Sequence, residues 1–243
     1  MLPESYSLVL CFFVVALLYA SVGHGGASGY LAVMSLFAVE AMVLRPTALT
    51  LNIVVSTLGT IAFIRAGYFR SRLFWPLALC AIPCAYLGGS VELNEFLFRK
   101  LLGVALVIAF LRLVLTNKRS LETHQPPLWH LVFAGCCMGL ASGLIGVGGG
   151  IFLTPLAIFL RWATPKEAAA ISAPFIWVNS IAGLLGLQPS MSDLHPDIGW
   201  LIGSVVVAGL IGVYWGSVRA GGQQIRRVLA VVLALAAVKL LLT

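Results

Sequence analysis

The stretch Gly143-Leu144-Ile145-Gly146-Val147-Gly148-Gly149-Gly150 decides how this chain folds. A second stretch, Gly23-His24-Gly25-Gly26-Ala27-Ser28-Gly29, repeats its character near the start. Each lies inside a long uncharged run, residues 123–160 and 5–39. One membrane crossing takes ~20 apolar residues. Both runs are too long for one crossing and awkwardly short for two with an ordinary loop. Glycine costs ~1 kcal/mol against alanine in a helix, so clustered glycines predict an unwound turn within each run. At membrane depth such a turn survives only where protein or a water-filled cavity covers it.

Composition agrees that lipid is the solvent. Apolar residues are 60% of the 243 and charged residues 9%, where a soluble domain has about a quarter charged. Charges divide the chain into further uncharged runs at 46–64, 73–91, 101–111, 168–192, 198–218 and 228–238. The two short ones continue past single cations, Arg112 and Lys239, that snorkel to the interface. Met1–Ser7 carries Glu4 and no cation, so the first apolar stretch reads as retained rather than cleaved. The net charge of +7 comes from cations scattered at segment ends. That placement suits membrane topology and argues against a nucleic-acid partner. Cys11, Cys80, Cys84, Cys136 and Cys137 lie in apolar segments without His at ligand spacing. They read as small buried hydrophobes, with no metal or other cofactor expected.

The chain contains an internal repeat. Arg99-Lys100-Leu101-Leu102-Gly103-Val104 answers to Arg226-Arg227-Val228-Leu229-Ala230-Val231, and the same offset sets Gly89 against Gly216. Near the start of each half, Gly23-His24-Gly25-Gly26 answers to Gly146-Val147-Gly148-Gly149. The expected fold is an all-α polytopic membrane protein of two homologous four-segment repeats. Repeat 1 covers 1–116, with a broken segment at 6–42 and helices at 46–65, 72–91 and 99–116. A polar linker, 117–127, follows. Repeat 2 covers 128–243, with a broken segment at 128–161 and helices at 167–187, 198–218 and 226–243.

Charge counting addresses orientation. If each broken segment spans, Lys and Arg divide 7 to 8 between the two sides. If each re-enters, Arg65, Arg70, Arg72, Arg112, Lys118, Arg119, Arg161, Lys166, Arg219, Arg226 and Arg227 share one side. Arg45, Arg99, Lys100 and Lys239 are left on the other, so the division is 11 to 4. Positive residues favour the cytoplasm, so inverted repeats with re-entrant first segments are expected, with both chain ends outside. The helices following the breaks then begin near the midplane, where free N–H groups and positive dipole ends suit an anion. Repeats, broken helices and a midplane site are the pattern of secondary transporters. By contrast, Gly135-x3-Gly139-x3-Gly143 reads as a helix-packing seam.

Ala20-Ser21-Val22-Gly23-His24-Gly25-Gly26 resembles one of the paired signatures of the TauE/SafE sulfite/sulfonate exporter family, also called the toluene-sulfonate uptake permeases. Ala141-Ser142-Gly143-Leu144-Ile145-Gly146-Val147-Gly148-Gly149-Gly150-Ile151-Phe152-Leu153-Thr154-Pro155 resembles the other, and is the more specific. The resemblance covers essentially the whole chain. It implies a bacterial inner-membrane permease for sulfite, sulfonates or related organic and sulfur-containing anions. The copies differ, since Val147 stands opposite His24, so the two half-sites are chemically unequal.

Polar residues inside membrane segments are candidates for function. The expected substrate-binding set is Gly23, His24, Gly25, Gly26, Ser28, Thr50 and Asn52 from the first half. Gly146, Gly148, Gly149, Gly150, Thr154, Ser172 and Asn179 come from the second. For His24 the competing role is a helix-to-helix hydrogen bond, and for Ser and Thr a bond to their own helix. No Asp or Glu lies deep in a segment, which leaves carboxylate-based ion coupling without support. No Walker motif appears, which argues against direct nucleotide drive. The expected partners are a small anion and the bilayer, with self-association left open. An enzyme is not expected: Ser21 and His24 share a turn but lack an orienting carboxylate. The alternatives to a permease are an anion channel and a non-transporting scaffold.

Overall fold

A computed structural model describes residues 3–91 and 123–221, together with 223, 224, 227, 228 and 231. Every long element in it is an α-helix, and no strand occurs among the described residues. In chain order the helices are α1 (Pro3–Ser21), α2 (Ala27–Leu36), α3 (Ala41–Arg65), α4 (Ser71–Gly89), α5 (Leu128–Ile145), α6 (Gly150–Phe159), α7 (Pro165–Leu187) and α8 (Ile198–Tyr214). A π-helical turn, Trp215–Arg219, extends α8. Segments 99–116 and, apart from 227, 228 and 231, 226–243 fall outside the described residues. With them go residues 117–122 of the expected linker and the closest sequence match between the halves.

Five helices are long and apolar enough to cross a membrane: Met42–Arg65, Ser71–Gly89, Leu128–Ile145, Pro165–Leu187 and Ile198–Arg219. The helices that follow the breaks, α2 and α6, have 10 residues each. At 1.5 Å per residue they are ~15 Å long, half the ~30 Å hydrocarbon thickness. Large apolar side chains such as Leu10, Trp75, Leu79, Trp129, Phe133 and Leu210 stand exposed on the outer faces, as a lipid environment requires.

Glycine sets the closest helix contacts. A Cβ on Gly135 would stand 2.5 Å from the Leu77 carbonyl oxygen, one on Gly139 would meet that of Ala81, and one on Gly143 that of Ala85. The numbers rise together, so α5 runs parallel to α4, and its glycine stripe is the packing seam expected from sequence. Close backbone approach of this kind replaces the hydrophobic drive that lipid removes. Helix α8 repeats the arrangement on α1, with Gly212 against the Leu17 carbonyl and Gly216 against that of Ser21. The fourth helix of each half thus packs on the first helix of the other. The two halves also meet at α3 and α7, which run antiparallel: Gly59 faces Ala173, and Asn52 faces Ser180.

Polar ties gather where α3 and α6 end and α4 and α7 begin. Arg70 donates to the Trp162 carbonyl (3.2 Å) and pairs with Glu167 at 3.6 Å. Lys166 reaches the Tyr68 hydroxyl, at 3.2 Å. The His124 amide donates to the Arg161 carbonyl at 3.0 Å, joining the two ends of the second broken segment. Pro165 opens α7 behind a capping box, in which Thr164 accepts from the Glu167 amide and the Glu167 carboxylate accepts from that of Thr164.

The cysteines depart from expectation. All five are free, but Cys11, Cys80, Cys84 and Cys136 are half-buried and Cys137 is exposed. The α4–α5 seam buries glycine and leaves the neighbouring thiols near the outer surface, where lipid solvates them as well as a core does.

Candidate functional site

Each break is a short unwound passage built on left-handed glycines. In the first, Gly23 has φ +75° and Gly26 φ +99°. In the second, Gly146, Gly148 and Gly149 have φ of +75°, +73° and +78°. An L-residue there costs ~1–2 kcal/mol per position. These glycines let the chain stop one helix and start another without a side chain in the way. Gly26 and Gly149 are the N-caps of α2 and α6, and neither helix start has a side-chain cap from its own cap residue. Each helix start therefore presents amide groups and a positive dipole end to the protein interior.

Asn52 joins the two breaks. Its Oδ1 accepts from the Ala27 amide at 3.2 Å, capping α2 from another helix. Its Nδ2 donates to Ser180 Oγ at 2.9 Å and, more weakly, to the Val147 carbonyl at 3.5 Å. A Cβ on either Gly25 or Gly148 would collide with the Asn52 carboxamide. One side chain on α3 thus lies between the corresponding glycines of the two halves, and α7 closes the far side through Ser180.

Four further polar groups, three of them at the breaks and one on α7, are buried without a partner among the described residues. His24 bonds the Val22 carbonyl through Nδ1 (3.1 Å), and its ring lies against the Gly150 backbone. The Nε2 of His24 has no partner among the described residues. The Tyr30 hydroxyl, beside Gly26, is likewise unpartnered, as are Ser142 Oγ, beside Gly149, and Asn179 Oδ1 on α7. An unsatisfied buried polar group costs ~1–3 kcal/mol. Nearly all buried polar groups in folded proteins have a partner, so each of these stands out.

Of the expected site residues, Gly23, His24, Gly25, Gly26, Ser28, Asn52, Gly146, Gly148, Gly149, Gly150, Thr154, Ser172 and Asn179 are all buried. Ser28 is engaged by the Tyr19 hydroxyl at 2.9 Å. Thr154 and Ser172 bond each other at 2.6 Å, fixing α6 to α7. Asn179 donates to the Phe175 carbonyl on its own helix and keeps Oδ1 inward. Thr50 is not drawn in: it is half-buried, and its hydroxyl donates to the Pro46 carbonyl at 2.8 Å. This is the ordinary bond of a threonine hydroxyl to the carbonyl four residues back on its own helix.

Sequence reasoning missed Ser180, Tyr30, Ser142 and Arg45. Ser142 stands within the second signature and Ser180 beside Asn179, so position alone pointed to both. Arg45 donates to the carbonyls of Gly143 (2.8 Å), Gly89 (3.4 Å) and Val91 (3.3 Å), and stands beside Gly146.

Comparison with known proteins adds the following. The family described as sulfite exporter TauE/SafE matches residues 8–240. A probable membrane transporter protein of Sinorhizobium fredii is 36% identical over 243 residues, covering 98% of each chain. A probable membrane transporter protein of Methanocaldococcus jannaschii is 26% identical over 113 residues, covering 45% of this chain and 42% of its own. No solved structure matches. This multi-pass inner-membrane protein therefore belongs to the TauE/SafE sulfite exporter family of membrane transporters.

Proposed function

We propose that this transporter carries a small organic or sulfur-containing anion, of the sulfite and sulfonate class, outward through a midplane site at the two glycine breaks. The observation that carries the reading is Asn52, which binds the start of α2 and the second break at once. Two buried helix N-termini supply roughly +0.5 charge each. The hydroxyls of Tyr30 and Ser142 are free to donate to oxyanion oxygens, and His24, whose Nδ1–H is spent on the Val22 carbonyl, donates through Nε2 only when the ring is protonated. No acidic side chain is among the expected site residues. An interior-negative potential drives an anion outward by ~2.3 kcal/mol per charge per 100 mV, so export proceeds without an energy-coupling domain. The protein acts as a carrier and not as an enzyme.

Inverted repeats with re-entrant first segments belong to this reading. Support comes from the His124–Arg161 bond, which brings both ends of the second broken segment to one end of the molecule. Further support comes from the reciprocal packing of α1 on α8 and α5 on α4, and from antiparallel α3 and α7. A site between two such halves opens to one side or the other as they rock.

The test is flux in proteoliposomes against sulfite, thiosulfate, sulfoacetate, taurine and small carboxylates. Saturable flux of at least one sulfur-containing anion, driven by potential, is expected. Linear, unsaturable flux makes the protein a channel, and absence of flux for the whole panel overturns the reading.

A further inference from the structure

Helix ends near the breaks are not all favourable to an anion. Helices α4 and α5 run parallel and terminate together, at Gly89 and Ile145, beside the second break. A helix C-terminus carries about −0.5 charge, so two of them together place about one negative charge on that flank. Other groups at the same end add to it. Glu40 is the N-cap residue of α3, and the connection from α7 to α8 carries Asp193 and Asp197. That connection is held to α3 by the His195 amide, which donates to Thr47 at 3.0 Å.

Among the described residues, one cation meets these carbonyls. Arg45 Nη2 donates to Gly143 in the last turn of α5 and to Gly89 at the end of α4, while Nη1 donates to Val91. Its stem is in contact range of the second break, with Cγ 3.2 Å from where a Cβ on Gly146 would stand. Arg45 precedes Asn52 by seven residues on α3, so the two share a helix face about two turns, ~10 Å, apart. Arg65, Arg70, Arg72, Arg161, Lys166 and Arg219 instead stand at or beyond the opposite ends of their helices.

We propose that Arg45 is the positioning charge that lets an anion pass the flank of the site where α4 and α5 end. Its guanidinium cancels the summed negative ends of the two helices, and its place above Asn52 sets it along the way out of the junction. The role is electrostatic and one-sided. At the same sequence offset the second half has Ser172, which is spent on Thr154 and carries no charge. The inference rests on the anion-carrier reading of the site.

The test makes the charge titratable. Arg45→His is reconstituted beside wild type, Arg45→Lys and Arg45→Gln. The probe is methanesulfonate, a monoanion throughout the range, or whichever permanently ionised sulfonate the wild type moves fastest. An imidazole titrates near pH ~6.5. Flux of the His variant, divided by that of wild type at the same pH, is expected to rise at least ~5-fold from about pH 8 to about pH 5.5. Arg45→Lys keeps flux within ~3-fold of wild type, while Arg45→Gln loses ~10-fold or more at every pH. A flat ratio for the His variant, or equal flux in the Gln and Lys variants, overturns the inference and leaves the functional reading standing. The pH comparison is made within one folded sample, so it survives failure of the Gln variant to fold. A wild type that moves no anion overturns the functional reading and this inference with it.

Discussion

Replacing Asn52 with leucine removes a side chain that binds both breaks. The Ala27 amide loses its acceptor and Ser180 Oγ loses its donor, both in a buried setting. An unsatisfied buried backbone amide costs ~1–3 kcal/mol and a lost neutral side-chain bond ~1 kcal/mol, together about 2–4 kcal/mol. The weak bond to Val147 at 3.5 Å adds little. At 1.4 kcal/mol per tenfold, a penalty of that size falling wholly on the anion-bound state reduces kcat/KM by roughly 30- to 700-fold. Some of it falls instead on the folded state, so the expected loss of sulfite or sulfonate flux is at least ~10-fold, with a lowered Tm. Asn52→Asp separates the two effects. It keeps an acceptor for Ala27 but sets a negative charge between the helix starts, so KM rises steeply. The assay is initial-rate flux in proteoliposomes at matched protein incorporation, with Tm measured on the same preparations. Asn52→Leu and Asn52→Asp with wild-type KM and kcat would refute the reasoning, because the junction would then lie off the transport path.

Gly148→Ala puts a Cβ into the Asn52 carboxamide and 2.7 Å from Ser180 Oγ, at φ +73°. Strain of ~1–2 kcal/mol plus overpacking of ~1–3 kcal/mol is expected to abolish most flux, whereas Gly203→Ala, with nothing within 4 Å, leaves it intact. Gly139→Val drives a side chain into the Ala81 backbone and separates α4 from α5. It lowers Tm but leaves the KM of the folded fraction unchanged. His195 lies in the connection between α7 and α8, where burial holds its pKa below the ordinary value against the raising effect of Asp197. Its Nδ1 accepts from the Asp197 amide at 3.1 Å and must be neutral to do so. The unfolded chain binds the proton more readily, so stability is greatest above the unfolded value of about 6.5 and is lost as pH falls through that value toward the folded one. Thermal melts of wild type and His195→Gln across that window should show the acid-side loss in wild type alone.

The breaks were legible because glycine leaves a compositional trace. No other residue explains five positive φ angles in two passages, and clustered glycines in apolar runs announce them. The stripe Gly135, Gly139, Gly143 was legible for a similar reason, since small residues at helical spacing have few other uses in lipid. What joins the breaks was only half legible. Asn52 stood out as a polar residue in an apolar segment, but its partners lie 25, 95 and 128 positions away. Nothing local distinguishes it from Thr50, two residues off, whose hydroxyl is spent on its own helix. Arg45 read as one topological charge among fifteen. Its meeting with two helix ends follows from how α3 crosses α4 and α5, which no spacing encodes.

The most direct measurement is a structure of the protein with selenite, whose selenium scatters anomalously and whose oxygens mimic those of sulfite. One strong peak is expected between the start of α2 at Ala27 and the start of α6 at Gly150, within hydrogen-bond reach of His24 Nε2. A peak elsewhere in the bundle, or an empty junction at selenite concentrations that block flux, would contradict it.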